Sequence, residues 1–209
     1  MSEFKKHAFP DLDEHSLDPD PIKQFKVWYA DAVKATVPQA DAMGLATATA
    51  SGMPSTRMVL FKSVDERGFV FHTNYNSRKG NELDTNPHAA LIFFWAELNR
   101  QIRIEGTVTR VSPEESNAYF ATRPRDGQLS SLASTQSKPI GSRSELDQRF
   151  EDLKVLYEGK PIIRPSDWGG YRVQPEAIEF WQSRFARLND RVVYTRNSAN
   201  QWARIRLQP

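Results

Sequence analysis

Residues 57–79 read RMVLFKSVDERGFVFHTNYNSRK, and this stretch decides how the chain is expected to fold. The side chains from Arg57 to Lys62 follow the period-2 pattern of a strand, which places these two cations on opposite faces unless a bulge intervenes. The turn at 65–68 ends in Gly68, which can take a positive φ. A second strand follows at once, so the stretch predicts a β-hairpin.

A short helix is predicted to follow this hairpin. Ser77 is its expected N-cap, and Arg78 and Lys79 are its first residues. The N terminus of a helix next to two cations is a favourable phosphate site. On these residues alone, a solvated basic hairpin is an equally good interpretation.

The composition predicts a globular protein. The chain has 209 residues, of which 39% are hydrophobic and 11% aromatic, enough for one domain, or one subunit of an oligomer, with its own core. Lys and Arg number 28 against 26 Asp and Glu, so the formal net charge is only +2. This balance argues against a nucleic-acid partner.

The sequence lacks the residues that several kinds of site require. It has no Cys, which excludes disulfides and thiolate chemistry, and its four His are not spaced as metal ligands, so no metal site is expected. The first residues lack an apolar run and no segment reaches membrane-spanning length, so neither a signal peptide nor membrane contact is expected. These observations predict a cytoplasmic protein.

The N-terminal region divides into an arm and the start of a domain. Residues 1–18 show no period and are expected to form an arm that is mobile or depends on a partner. One domain is expected over residues 19–209. It begins with a helix that has Asp20 as N-cap and Pro21 as first residue, and that ends before Pro38.

A run of short strands is predicted after this helix. Turn residues separate most of them, which is typical of an antiparallel meander or barrel. The run AALIFFW at 89–95 is apolar on both faces, so both faces are expected to be covered, and in a chain of this size another subunit can supply the second cover. Strands are predicted at 43–50, 56–63, 69–73, 89–95 and 101–111.

The second half of the chain is predicted to contain two helices and then more strands. Ser112 and Ser142 each open a capping box with a Glu three residues later. The segment between these helices, from Arg123 to Ser131, is too rich in hydrogen-bond donors for a simple connector. Trp168 is assigned to the core or to a subunit interface. The closing strands are predicted at 171–174, 177–182, 191–195 and 202–207.

Ten short motifs follow one another in a characteristic order along the chain. They are RMVLFK (57–62), TN (73–74), SRK (77–79), RQ (100–101), YF (119–120), RPR (123–125), QS (136–137), WGG (168–170), IEFW (178–181) and RLNDR (187–191). Each motif alone is weak, but their joint order and spacing are specific. Over residues 19–209 the chain resembles the pyridoxine/pyridoxamine 5'-phosphate oxidase family.

The resemblance implies a fold, a cofactor and a reaction. The implied fold is β-rich (α+β): the FMN-binding split β-barrel, with an antiparallel sheet, flanking helices and a homodimer that holds FMN at the subunit interface. The implied activity is oxidation of pyridoxine or pyridoxamine 5'-phosphate to pyridoxal 5'-phosphate, with O2 as electron acceptor and H2O2 as product. The implied partners are thus a phosphorylated vitamin B6 vitamer, O2 and a second copy of the chain.

Position by position, the resemblance implies two sets of binding residues. Flavin and substrate each carry a phosphate, and each set contains the cations that a phosphate needs. Arg187 and Asn189 are the expected catalytic positions, because they would orient the substrate ring. The substrate set is Lys62, Tyr119, Arg123, Gly127, Arg187 and Asn189. The FMN set is Arg57, Met58, Val59, Leu60, Phe61, Lys62, His72, Thr73, Ser77, Arg78, Lys79, Gln101, Gln136 and Ser137, with Trp181 and Arg191 reaching the same flavin from the other subunit.

The chain departs from the family at three places. Gly127 stands where the family commonly has Ser, which removes one donor to the substrate phosphate. Asn189 stands where the family usually has His, and Asn cannot titrate near neutral pH. Residues 4–7 do not align with the Arg and Tyr that the family often has in its N-terminal arm. Two alternatives therefore stay open: a split-barrel flavin oxidoreductase with a different substrate, and a non-catalytic protein that binds FMN or pyridoxal 5'-phosphate.

Overall fold

The fold is one curled antiparallel sheet with helices around it, in a computed structural model that describes residues 11–197, 199 and 201–209. Within these residues, nine strands pair in the order β2-β1-β5-β6-β7-β4-β3, and β8 and β9 continue the sheet from β7. All of these pairings are antiparallel, as predicted. The strands are β1 (Ala42–Ala48), β2 (Pro54–Leu60), β3 (Ser63–Asp65), β4 (Gly68–Asn74), β5 (His88–Trp95), β6 (Arg100–Arg110), β7 (Trp168–Gln182), β8 (Asp190–Arg196) and β9 (Trp202–Arg206).

Two residues close the sheet into a half-barrel. β2 and β3 lie at opposite ends of the main strand order, yet only Phe61 and Lys62 separate them along the chain. The backbone N–H of Lys62 donates to Val70 O of β4 at 2.9 Å. A flat path of seven strands would be roughly 30 Å wide, which two residues cannot bridge. The sheet must therefore curl until its two edges meet.

Aromatic side chains from the first helix and the strands fill the core. Helix α1 (Pro21–Lys34) begins as predicted, because Asp20 Oδ1 accepts a hydrogen bond from Ile22 N at 2.9 Å. Phe25 on its inner face is fully buried. Its ring packs edge-on against Phe61, with 5.3 Å between ring centroids, and so holds the two-residue link to the core.

The remaining helices include three that begin at their predicted caps and one that the sequence does not predict. Ser77, Ser112 and Ser142 each accept a hydrogen bond from the backbone N–H three residues later, at 3.4, 3.1 and 3.2 Å. The segment after Arg123 forms an additional helix, which has no side-chain cap and contains Gly127, a poor helix former. The helices are α2 (Arg78–Thr85), α3 (Pro113–Thr122), α4 (Arg125–Ala133) and α5 (Arg143–Leu156).

The sequence predicts two strands where the structure has the single strand β7. Pro175 lies in its middle, and a proline without an N–H usually interrupts a sheet. Here the register of β6 shifts opposite Pro175, between Glu105 and Gly106. Glu105 pairs with Ala177 while Gly106 pairs with Pro175, so one extra residue is absorbed as a β-bulge and the strand continues.

The described part of the predicted N-terminal arm is packed against the sheet. Leu12 and Leu17 are buried at 5% and 6% exposure. The backbone N–H of Leu12 donates to Asp190 Oδ2 at 3.2 Å, and the hydroxyl of Tyr194 donates to Asp18 O at 2.8 Å. The prediction for residues 1–10 lies outside the described residues.

A bilayer-spanning segment is not found among the helices of the described residues, none of which is long and apolar enough. The same residues contain no group of three or more His, Asp or Glu side chains placed to hold a metal ion.

Candidate active site

A cavity of about 500 Å³ opens between the end of β2, strand β4 and helices α3 and α4. The hairpin, the helix after it and the unpredicted helix α4 all contribute to its wall. These elements carry many residues of the two predicted binding sets, and most of those residues line the cavity. The members of the predicted binding sets that line the cavity are Met58, Val59, Leu60, Lys62, His72, Thr73, Lys79, Tyr119, Arg123 and Gln136.

Among the described residues, Lys79 is a buried cation with no carboxylate in hydrogen-bonding contact. Its side chain is 7% exposed, and Nζ donates to Thr73 Oγ1 at 3.1 Å and to Gln136 Oε1 at 3.0 Å. No carboxylate among the described residues forms an ion pair with it. Burial, and then the nearby charge of Arg57, lower the pKa of Lys79 to about 8. An anion bound beside Lys79 would favour its protonated form and so offset the effects of burial and of Arg57 on its pKa.

A second group of donors in the cavity comes from the barrel link and from α3. Lys62 lies 3.4 Å from Asp41 Oδ2, a partly exposed pair. Arg123 donates to Ser131 Oγ, and its guanidinium carbon lies 4.6 Å from the centre of the Trp168 ring. Trp168, which the sequence assigns to core or interface, therefore lines the cavity.

His72 is held as a neutral ring in the cavity wall. Its ring stacks on Tyr119 with 3.9 Å between centroids, and neither ring nitrogen has a hydrogen-bond partner among the described residues. Burial, with the charges of Lys62 and Arg123, lowers the pKa of His72 to about 4. It is therefore uncharged at neutral pH and can offer one donor and one acceptor.

Glu82 is a site residue that sequence reasoning missed. Its carboxylate is 5% exposed and accepts hydrogen bonds from Arg57 Nη2 at 3.3 Å and Arg78 Nε at 2.9 Å. Thr47 and Ser55 donate to it at 2.5 and 2.6 Å. Burial alone would raise the pKa of Glu82, but these hydrogen bonds and the charge of Arg57 outweigh it and lower the pKa to about 2. The carboxylate thus holds both arginines in fixed positions.

Two further predicted residues lie next to this carboxylate rather than in the main cavity. Arg78 and Ser137 line a neighbouring cavity of about 440 Å³ together with Glu82. Ser137 has φ 69°, in the left-handed region. Arg57 and Lys62 therefore have different surroundings: Arg57 faces Glu82, whereas Lys62 faces the main cavity.

The other predicted residues do not line this cavity in the single chain. Gln101, Trp181 and Arg191 form one row across the outer face of the sheet, because Gln101 pairs with Trp181 and Trp181 with Arg191. Arg187 and Asn189 lie in the turn between β7 and β8, where Arg187 has φ 63°. The outer face of the sheet therefore carries Gln101, Trp181 and Arg191, and the adjoining turn carries Arg187 and Asn189.

Three predicted positions have structural roles within the chain. The Phe61 side chain packs in the core, 7% exposed. Ser77 caps α2 and is fully buried. Gly127 lies in the first turn of α4, and its carbonyl accepts from Ser131 Oγ at 3.1 Å.

Two family profiles cover most of the chain. The profile described as "Pyridoxamine 5'-phosphate oxidase" matches residues 29–157. The chain belongs to the pyridoxamine 5'-phosphate oxidase family. The profile described as "Pyridoxine 5'-phosphate oxidase C-terminal dimerisation region" matches residues 168–209, so this member of the family carries its dimerisation region.

Named relatives and solved structures agree with this membership. The chain is 56% identical to the pyridoxine/pyridoxamine 5'-phosphate oxidase of Rubrobacter xylanophilus, over 95% of this chain and 91% of that one. It is 52% identical to the enzyme of the same name from Paraburkholderia phymatum, over 98% and 96%. Among solved structures, PhzG from Burkholderia lata 383 in complex with tetrahydrophenazine-1-carboxylic acid is 34% identical, with a TM-score of 0.91 over 97% of this chain and 98% of that one.

A more distant structure supports the fold alone. An FMN-binding protein from Nostoc punctiforme, related to pyridoxamine 5'-phosphate oxidase, is 18% identical with a TM-score of 0.72, over 92% of this chain and all of the other. The expected split-barrel fold is confirmed by these similarities and by the closure of the sheet at Phe61 and Lys62.

The substitution Glu82→Gln is expected to reduce the loss of stability in acid. Since the folded pKa of Glu82 is about 2 and its ordinary value is 4.5, the carboxylate contributes stability above pH 4.5 that is lost as the pH falls towards 2. Gln keeps the shape but does not titrate. The free energy of unfolding, measured by urea titration from pH 5 to pH 2.5, will therefore fall less steeply in the variant.

The matched control is Asp84→Asn, on the same helix but 46% exposed. It should follow the wild-type pH dependence. Equal slopes for wild type and Glu82→Gln would show that Glu82 is not held as a buried carboxylate.

Proposed function

We propose that this protein is an FMN-dependent oxidase that converts pyridoxine or pyridoxamine 5'-phosphate to pyridoxal 5'-phosphate, with reduction of O2 to H2O2. The observation that carries the proposal is the pair of separately held cationic groups in one cavity. One group is built on Lys79 and the other on Lys62 and Arg123. A phosphorylated cofactor and a phosphorylated substrate need two such groups. A cytoplasmic location is part of this proposal.

The residues around Lys79 fit the phosphate of FMN. The hydrogen-bond partners of Lys79 among residues 11–197 are neutral, and two of them, Thr73 and Gln136, hold its ammonium group in place. Arg57 and Arg78 would supply further charge beside it, already positioned by Glu82. A phosphate dianion would thus meet three cations with fixed positions, which lowers the cost of ordering them on binding.

FMN, when bound, would accept two electrons from the substrate and pass them to O2. The chain would contribute binding and orientation. Lys62 and Arg123 would hold the substrate phosphate, and Tyr119, stacked on His72, would form a flat wall beside it. For the alcohol, C4' gives up a hydride and its hydroxyl a proton, so that the substrate becomes the aldehyde and O2 becomes H2O2. For the amine, water also enters and ammonia leaves.

A second copy of the chain would complete the site. The outer face of the sheet exposes Met58 (67%), Ile92 (40%) and Phe94 (60%), so β5 has one uncovered face in the single chain. Met58 also borders the main cavity, which therefore opens towards this face. Phe94 continues the row of Gln101, Trp181 and Arg191, since it pairs with Gln101.

A homodimer formed through this face would cover its apolar side chains and bring that row to the partner's cavity. The matched dimerisation region includes β7, β8 and β9 and supports this arrangement. Arg187 and Asn189, in the turn next to the row, would then reach the substrate ring from the partner. FMN and substrate would both lie at the subunit interface.

The proposed function is tested with the purified protein. FMN is added, excess flavin is removed, and aldehyde and H2O2 are followed in air with pyridoxine 5'-phosphate and, as the matched control, unphosphorylated pyridoxine. We expect one H2O2 per aldehyde and a strong preference for the phosphorylated substrate. Failure to take up FMN would overturn the whole proposal. FMN uptake without oxidation of either 5'-phosphate would favour an oxidoreductase of another substrate or a non-catalytic flavin protein.

The affinity for FMN is expected to fall as the pH rises above about 8. Free Lys79 has a pKa of about 8, and a neighbouring phosphate dianion favours its protonated form, so binding takes up a proton at higher pH. The decrease should approach tenfold per pH unit between about pH 8.5 and 9.5. Titration of the apoprotein by quenching of flavin fluorescence measures it. Lys79→Arg, which stays charged, should show a flatter curve, and identical slopes would exclude Lys79 as the titrating group.

The substitution Gly127→Ser is expected to strengthen substrate binding. A Cβ at this position would lie 3.4 Å from Arg123 Nη2, an ordinary contact, so a hydroxyl fits beside the guanidinium. One added donor to a charged group contributes about 1.5–3 kcal/mol, so KM for pyridoxine 5'-phosphate should fall roughly tenfold or more. Gly127→Ala is the matched control without a hydroxyl. An equal KM in the Ser and Ala variants would mean that another donor already serves the phosphate.

A further inference from the structure

In the described part of the chain, the groups that hold Arg123 in the cavity are neutral. Its Nη1 donates to Ser131 Oγ, and Ser131 in turn donates to Gly127 O at 3.1 Å. No described carboxylate forms an ion pair with Arg123. The positive charge of the guanidinium is therefore fully available to an anion in the cavity, unlike that of Arg57, which Glu82 partly neutralises.

The second support of this guanidinium is the face of Trp168. The guanidinium carbon lies 4.6 Å from the centre of the ring, within the range of a cation–π interaction. An aromatic face attracts a cation without cancelling its charge, which a carboxylate would do. It also orients the guanidinium plane, so that the remaining N–H groups are presented in a fixed direction.

The Trp168 ring is itself fixed on several sides. It is 7% exposed and lies at the start of β7, where it pairs with Asn74. Phe120 packs edge-on against it with 5.3 Å between centroids, and His72 stacks nearly parallel at 5.4 Å. Because these contacts fix the Trp168 ring, the ring in turn fixes the Arg123 guanidinium that packs on it.

We propose that Trp168 is a positioning residue, which holds the Arg123 guanidinium for the phosphate of the substrate and so sets the preference for phosphorylated over unphosphorylated substrates. The inference rests on the proposed function and extends it. Trp168 does not contact the reacting atoms; it acts through Arg123. The loss of the aromatic face should therefore matter only while Arg123 and a substrate phosphate are both present.

The test compares Trp168→Leu, which removes the aromatic face, with Trp168→Phe, which keeps a smaller one. With pyridoxine 5'-phosphate and the FMN-loaded enzyme, Trp168→Leu should raise KM about tenfold, equivalent to about 1.4 kcal/mol, while kcat changes less than twofold. Trp168→Phe should raise KM about threefold. With unphosphorylated pyridoxine, kcat/KM should be unaffected by either substitution. An equal loss of kcat/KM for both substrates would overturn the inference.

A double-mutant cycle separates positioning from general destabilisation. In an Arg123→Ala background, Trp168→Leu should have no further effect on KM for pyridoxine 5'-phosphate, because the residue it positions is gone. Additive effects would contradict the proposal. If Trp168→Leu does not fold, the same cycle is run with Trp168→Phe, and the same criterion applies to its smaller effect.

The chain offers a matched control for removal of a cation–π pair. Arg196 lies over the Trp202 ring at 4.5 Å, and neither residue lines the main cavity. Trp202→Leu should leave the preference for phosphorylated substrate unchanged, and a loss of that preference in this variant would count against a specific role of Trp168.

Equilibrium binding separates this inference from the proposed function. The dissociation constants of pyridoxal 5'-phosphate and pyridoxal are measured for the FMN-loaded wild type and Trp168→Leu, without turnover. We expect only the 5'-phosphate to bind more weakly to the variant, by about tenfold. If only the 5'-phosphate binds more weakly to the variant but the wild type oxidises neither 5'-phosphate substrate, the proposed function fails while the inference stands. Equal binding of the 5'-phosphate by both proteins overturns the inference alone.

Discussion

The structure depends on the two-residue link between β2 and β3. Phe61 anchors the link in the core against Phe25, while Lys62 next to it faces the cavity. The hydrogen bond from Lys62 N to Val70 O attaches the link to β4, next to the edge strand β3. The curl of the sheet brings Lys62 to the same cavity as Lys79 and Arg123, so the cavity depends on closure of the barrel.

The cations of the site differ in their partners, since some pair with a carboxylate and others only contact neutral groups among the described residues. Both kinds would serve the two proposed phosphate ligands. Arg57 and Arg78 share the buried carboxylate of Glu82, which keeps them in place and moderates their charge. Lys79 and Arg123 rest on neutral partners. A buried cation of this kind is unfavourable until an anion arrives, as the lowered pKa of Lys79 shows. In the proposed function, such a site trades some stability of the free protein for affinity towards the two phosphates.

Local patterns in the sequence predict most elements of the fold, and the resemblance to a family predicts most lining residues of the cavity. The serine caps of α2, α3 and α5 and the alternation in the strands are local features. The predictions that failed concern features that depend on residues elsewhere in the chain. The continuity of β7 depends on a bulge opposite Pro175. The contact of Glu82 with Arg78 is local to α2, but its contact with Arg57 and the contact of Trp168 with Arg123 form only in the folded chain. Helix α4 has neither a side-chain cap nor a clear apolar stripe.

The pairing of β4 with β7 has a consequence for synthesis of the protein. Phe69 pairs with Val173 and Asn74 with Trp168, so the strand that carries His72 and Thr73 gains its long-range neighbour only after β7 has been made. A nascent chain that ends before β7 already contains Lys62, Lys79 and Arg123, but it lacks Trp168 under Arg123, and β4 has only its hairpin neighbour β3 as a partner. Pairings between distant segments also form slowly. A proposed flavin would therefore bind after translation rather than guide the early steps of folding.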